Sequence, residues 1–149
     1  FVEVVMSNPL RVVVDADAII AQINSKDKHF QRSNEISRFL TERGAQVIYP
    51  SSVIVEAITF IQRVLNNPPG AYEAAVVLMN KNVEVVSVDG VLIRKALGFF
   101  GPRSSKKNTL FDCIVAAVAK EYDADAIFSF DHFYKSRGFT LVGDFLAGK

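Results

Sequence analysis

The sequence predicts a three-layer α/β/α fold around a central, mostly parallel five-stranded sheet. Apolar runs of strand length alternate with segments of helical period, the pattern of βαβ units. The first run, Val12-Val13-Val14, has no polar interruption, as a strand covered on both faces requires. Acidic residues stand where strands should end, the edge at which open α/β sheets place their ligands.

The elements follow in order. Arg11–Val14 is the first strand and Ala18–Asn24 a short helix. Gln31–Arg43 is helical, with Ile36, Phe39 and Leu40 on one face and Gly44 closing it. Gln46–Tyr49 is a second strand, and Pro50-Ser51-Ser52 reads as a turn and N-cap for a helix to about Leu65. Asn66-Asn67-Pro68-Pro69-Gly70 breaks the chain before a helix over Ala71–Asn80. Asn82–Val88 is a third strand, and Asp89 caps a helix over Gly90–Leu97. From Gly98 to Asn108 there is no periodicity, and the stretch reads as an exposed basic loop. Thr109–Tyr122 is the strongest helix, with Leu110, Ile114, Ala117 and Val118 in one stripe. Ala126–Phe130 is a fourth strand and Phe139–Val142 a fifth.

At 149 residues the chain is expected to form one domain spanning 1–149. Half of its residues are hydrophobic and 22% are charged, which excludes a disordered chain. No apolar stretch approaches the roughly 20 residues of a membrane-spanning helix. Phe1–Val5 contains Glu3 and no basic start, so no signal peptide is expected; Met6 is a candidate natural start, and whether residues 1–5 are native or foreign stays open. The single cysteine, Cys113, rules out an internal disulfide, suits the cytoplasm, and reads as a small buried hydrophobe. His29 and His132 are too few and too scattered for a zinc site or a histidine-based triad, and both read as surface residues.

Four acids carry the chemistry: Asp15 after the Val run, Glu56 in Ser52-Val53-Ile54-Val55-Glu56, Asp112 in Thr109-Leu110-Phe111-Asp112, and Asp131 after Ile127-Phe128-Ser129-Phe130. Each has strongly apolar neighbours, where an unpaired carboxylate is costly to hold. Taken singly, each is explained by a helix cap or a dipole-favoured first turn. Gathered at one sheet edge they would repel one another, so a hard divalent cation is the expected resident. Asp17 is equally a helix N-cap or a carboxylate just outside the ligand set. Gathering four of sixteen acids into one pocket leaves seventeen bases against twelve acids elsewhere, a surplus of about +5 that suits a polyanion.

The ordered set of motifs resembles the PIN-domain nucleases, in particular the VapC-type toxins of prokaryotic toxin–antitoxin pairs. Val13-Val14-Asp15-Ala16-Asp17-Ala18-Ile19-Ile20 is similar to the opening strand of that family, and Ser52–Glu56 to its second motif. Leu110-Phe111-Asp112-Cys113-Ile114-Val115-Ala116-Ala117 matches the third. Phe128-Ser129-Phe130-Asp131, with Tyr134 and Gly138, is similar to the closing one. The likeness runs from Leu10 to Val142. It departs from the pattern at Asp17, where an uncharged polar residue is usual, and in the long basic loop before Thr109.

The resemblance implies a Mg²⁺- or Mn²⁺-dependent endoribonuclease in which Asp15, Glu56, Asp112 and Asp131 are both catalytic residues and metal ligands. Ser129, like Asp17, would stand behind the ligands. RNA is the implied substrate, and a protein antitoxin and a second copy of the chain are the implied partners. Arg103, Lys106 and Lys107 before Asp112, and Lys135 and Arg137 after Asp131, would flank the crevice and bind the RNA backbone. Two alternatives stay open: a catalytically silent PIN-fold module for RNA binding or assembly, and a haloacid-dehalogenase-type phosphatase, whose opening Asp15-Ala16-Asp17 resembles. Against the phosphatase, Ile19 stands where Thr or Val belongs, and no Ser/Thr and Lys motifs follow in order.

Overall fold

The computed structural model describes residues 8–147, so the expectations for residues 1–5 and Met6 lie outside the described residues. At its centre are four parallel strands, β1 (Arg11–Val14), β2 (Gln46–Pro50), β3 (Glu84–Val86) and β4 (Ala126–Phe128), in the order β3-β2-β1-β4. Around them lie helices α1 (Ala16–Ile23), α2 (Phe30–Glu42), α3 (Ser51–Arg63) and α4 (Pro68–Leu78). The later helices are α5 (Gly90–Ala96), α6 (Leu110–Glu121), α7 (Phe133–Ser136) and α8 (Val142–Ala147). Val12, Val13 and Val14 are all buried. Successive strand side chains point to opposite faces, so both faces of β1 are covered and the sheet is the middle layer.

The order places β4 on one side of β1 and β2 on the other, in register Val14↔Phe128 and Val13↔Ile48. The chain adds β2 and β3 on one side of β1 and then crosses back to place β4 on the other, so the crevice beyond the C-terminal ends of β1 and β4 is the switch point where ligands bind in such sheets. The Asp15 N–H donates to the Phe128 carbonyl at 3.0 Å, which joins the two strand ends directly.

The fifth strand expected over Phe139–Val142 does not form. Gly138 turns the chain at φ +89°, Leu141 makes one parallel bridge to Ile127, and Val142 already starts α8. β4 likewise stops at Phe128 instead of Phe130, because the Phe130 and Asp131 N–H groups are drawn to the side chains of Asp17 and Ser129.

Helix starts show similar local competition. α3 begins at Ser51 with no side-chain cap; the Ser51 hydroxyl instead accepts from the Val88 N–H at 3.0 Å, tying α3 to the segment after β3. α4 begins at Pro68, three residues earlier than expected. Pro68 fits the first turn of a helix, and the Asn67 side chain accepts from the Gly70 N–H. Asp89 caps α5 as expected, accepting from the Leu92 N–H at 2.9 Å. Gly44, at φ +60°, ends α2 in the left-handed conformation that glycine adopts without penalty. α6 exceeds its expected stripe: Cys113 through Ala119 are all buried. It packs against β1, β2, α3 and α5, so almost its whole circumference is core.

Candidate active site

Every acid singled out in the sequence comes to the β1/β4 edge. Asp15, Asp17, Glu56, Asp112 and Asp131 line one concavity of about 200 Å³ together with Ala16, Ile20 and Phe60, and among the described residues no Lys, Arg or His is in its walls. Asp15 follows β1 directly and caps α1, its Oδ1 accepting from the Ala16 N–H at 2.7 Å. Asp17, in the first turn of α1, accepts from the Phe130 N–H at 2.8 Å. Asp112 in the first turn of α6 reaches back to the Thr109 N–H at 2.9 Å. Asp131 accepts from the Phe133 N–H and from the Asn108 side chain, each at 2.9 Å. Glu56 enters from the second turn of α3.

The electrostatics of this arrangement are unfavourable in the absence of a counterion. Burial raises the Asp15 carboxyl well above its ordinary range, and the neighbouring charges of Asp17 and Asp112 raise it further. Burial likewise takes Asp17 up to about 6. Glu56 is carried to about 7, by burial first and then by Asp112 and Asp17. Asp112 is raised by burial, and Asp131 adds to the effect. Ser129 lies within 3.1 Å of Asp15 Oδ2 and 3.0 Å of Asp17 Oδ2, yet its hydroxyl has one hydrogen to donate and can satisfy only one of them.

The donor set fits a hard divalent cation. All five groups offer carboxylate oxygens, and Asp17 Oδ1 is buried with no hydrogen-bond partner among the described residues. Among those residues no three His, Cys, Asp or Glu side chains are arranged as a finished cation site. An ion that keeps several of its waters needs only one or two direct carboxylates.

A PIN-domain family model matches residues 12–139. The chain belongs to the PIN-domain family. It is 20% identical over 134 residues to a VapC ribonuclease of Aquifex aeolicus, covering 89% of this chain and 96% of that protein. Its fold is similar to the crystal structure of Mycobacterium tuberculosis VapC20, described as a Sarcin-Ricin loop cleaving toxin. The TM-score is 0.74 at 19% identity, over 87% of this chain and 96% of that one. The family match sets aside the phosphatase alternative.

Within this PIN domain the basic residues are less uniform than their sequence positions suggest. Arg103, Lys106 and Lys107 are exposed on the loop before α6 and take part in none of the ion pairs among the described residues. Lys135 instead pairs with Asp144 at 3.4 Å, and the Arg137 guanidinium lies over the Phe133 ring, 5.2 Å from its centroid. His29 departs from the surface role expected of it: its ring stacks on Phe130 at 4.1 Å, while His132 is exposed.

Two residues of the site were given no role by the sequence reading. Tyr134 is fully buried and its hydroxyl donates to Asp15 Oδ2 at 2.7 Å. A usable signal existed, since a tyrosine buried beside an acid motif needs a partner for its hydroxyl. Asn108 ends the aperiodic loop and holds Asp131; nothing in its local sequence indicates that contact.

Proposed function

We propose that this PIN domain is a divalent-cation-dependent endoribonuclease of the VapC type, hydrolysing RNA phosphodiester bonds. The observation that carries the reading is the crevice at the β1/β4 switch point, lined by five carboxylates and, among the described residues, no basic side chain. Asp15, Glu56, Asp112 and Asp131 would hold Mg²⁺ or Mn²⁺, with Asp17 and Ser129 behind them. Bound there, the cation supplies positive charge at the scissile phosphate and eases ionisation of the attacking water.

The chain's own contribution is placement. Backbone N–H groups of Ala16, Phe130, Thr109 and Phe133 fix four of the five acids, so little reorganisation is left for the reaction itself. Arg103, Lys106 and Lys107 meet the RNA backbone beside an otherwise repulsive pocket. A protein antitoxin and a second copy of the chain are the proposed partners. Exposed Val55, Phe60, Val64 and Phe111 border a groove that shares Glu56 and Phe60 with the crevice, and this supports a protein contact next to the site.

Cleavage of RNA in Mg²⁺ or Mn²⁺ by the wild type and by Asp112→Asn tests the assignment. The variant is expected to lose at least about a hundredfold in rate while keeping its fold by circular dichroism. Full activity in Asp112→Asn removes the site. A catalytically silent RNA-binding module takes up no Mn²⁺ in a calorimetric titration, whereas the nuclease does.

A further inference from the structure

Asp15 is the most buried acid of the crevice, and it is anchored at both oxygens. Oδ1 accepts from the Ala16 N–H at 2.7 Å, and Oδ2 accepts from the Tyr134 hydroxyl at 2.7 Å with Ser129 Oγ at 3.1 Å. The same Tyr134 oxygen stands 3.5 Å from Asp112 Oδ1, so one buried phenol touches acids that arrive from β1 and from α6. Its single hydrogen goes to the nearer partner, Asp15. The ring is fixed by complete burial and by an edge contact with Phe133 at 5.3 Å.

On the reading of the crevice given above, we propose that Tyr134 is a positioning residue that sets the orientation of Asp15 and its spacing from Asp112 for cation binding. Without the hydroxyl, Ser129 is left, among the described residues, as the only side-chain donor to Asp15 Oδ2, and its one hydrogen is also sought by Asp17 Oδ2 at 3.0 Å. One acid then loses its donor and its fixed orientation. Partners of metal ligands of this kind are worth about 10–100-fold in metal affinity or activity.

Tyr134→Phe keeps the ring and removes only the oxygen. Calorimetric titration with Mn²⁺ is expected to give binding weaker by about 10–100-fold. Cleavage kinetics are expected to show a lower kcat with KM for RNA unchanged, because the exposed basic loop is untouched. Melting in EDTA is expected to stay near that of the wild type. Mn²⁺ affinity and kcat within twofold of wild type overturn the proposal, and so does a collapse of stability in EDTA, which makes the hydroxyl structural. A double-mutant cycle adds a second reading: in an Asp15→Asn background, Tyr134→Phe is expected to weaken Mn²⁺ binding no further, and additive losses overturn the action through Asp15. Asp112→Asn, run in parallel, separates the two levels. If it cleaves RNA and binds Mn²⁺ like wild type, the cation-site reading fails; if it is inert while Tyr134→Phe is normal, only the role of Tyr134 fails.

Discussion

Replacing Asp17 with asparagine is expected to stabilise the cation-free protein at pH 8 and to do little at pH 4. Burial raises the Asp17 carboxyl from 3.8 to about 6. Because the folded-state value is the higher one, the folded chain holds more protons than the unfolded chain between about pH 4 and pH 6. Its contribution is therefore present below the unfolded value and is lost as pH rises through 6. A shift of roughly two units corresponds to about 3 kcal/mol of lost stability once the group is ionised, at about 1.4 kcal/mol per unit.

Asparagine keeps an oxygen to accept from Phe130 N–H and Ser129, and it turns the orphaned Oδ1 position into an amide donor facing carboxylates. At about 3 °C per kcal/mol for a domain of this size, the melting temperature at pH 8 rises by about 5–10 °C. Thermal melts by circular dichroism in EDTA at pH 4, 6 and 8 read this directly. With Mn²⁺ added the advantage shrinks, because the cation neutralises the charge that the substitution removes. An equal shift at pH 4 and pH 8, or a lower melting temperature at pH 8, refutes the electrostatic account of the crevice.

Two other outcomes follow from the same site. Mn²⁺ at a hundred times its dissociation constant is expected to stabilise the wild type by about 2.7 kcal/mol, roughly 8 °C in a melt, reversed by EDTA. A melt that ignores Mn²⁺ argues against a cation site. Changing Arg103, Lys106 and Lys107 together to Ala is expected to flatten the log–log salt dependence of RNA binding by about 2, at roughly 0.7 per phosphate contact, with Mn²⁺ affinity unchanged. An unaltered slope means that the loop does not touch the backbone.

The parallel sheet was legible because the runs that form its β1–β4 pair are wholly apolar: Val12-Val13-Val14 and Ala126-Ile127-Phe128 carry no polar residue to argue otherwise. The acids were legible for a related reason, since a carboxylate among apolar neighbours has few structural justifications. What escaped depends on contacts between distant segments. Phe139–Val142 has the composition of a strand, but Gly138 redirects the chain and Val142 enters α8. Ser51 and Ser52 have the composition of helix caps, but Ser51 serves Val88 and the Ser52 hydroxyl has no partner among the described residues. Tyr134 and Asn108 act across gaps of 119 and 23 residues, where periodicity carries no information.

The way the acids are held separates them into two kinds. Asp15, Asp17, Asp112 and Asp131 each accept from a main-chain N–H, so their positions are written into helix starts and turns that form with the fold. No hydrogen bond restrains Glu56 among the described residues; burial and the charges of Asp112 and Asp17 act on it instead. A fold selected only for stability would neutralise these groups or pair them with lysine or arginine, yet among the described residues basic side chains are absent from the walls and present on the neighbouring loop. On the proposed function, that division sets negative charge toward a cation and positive charge toward a polyanion. On that reading, the carboxyl groups that burial raises here are the expected counterpart of a site whose positive charge comes from solution.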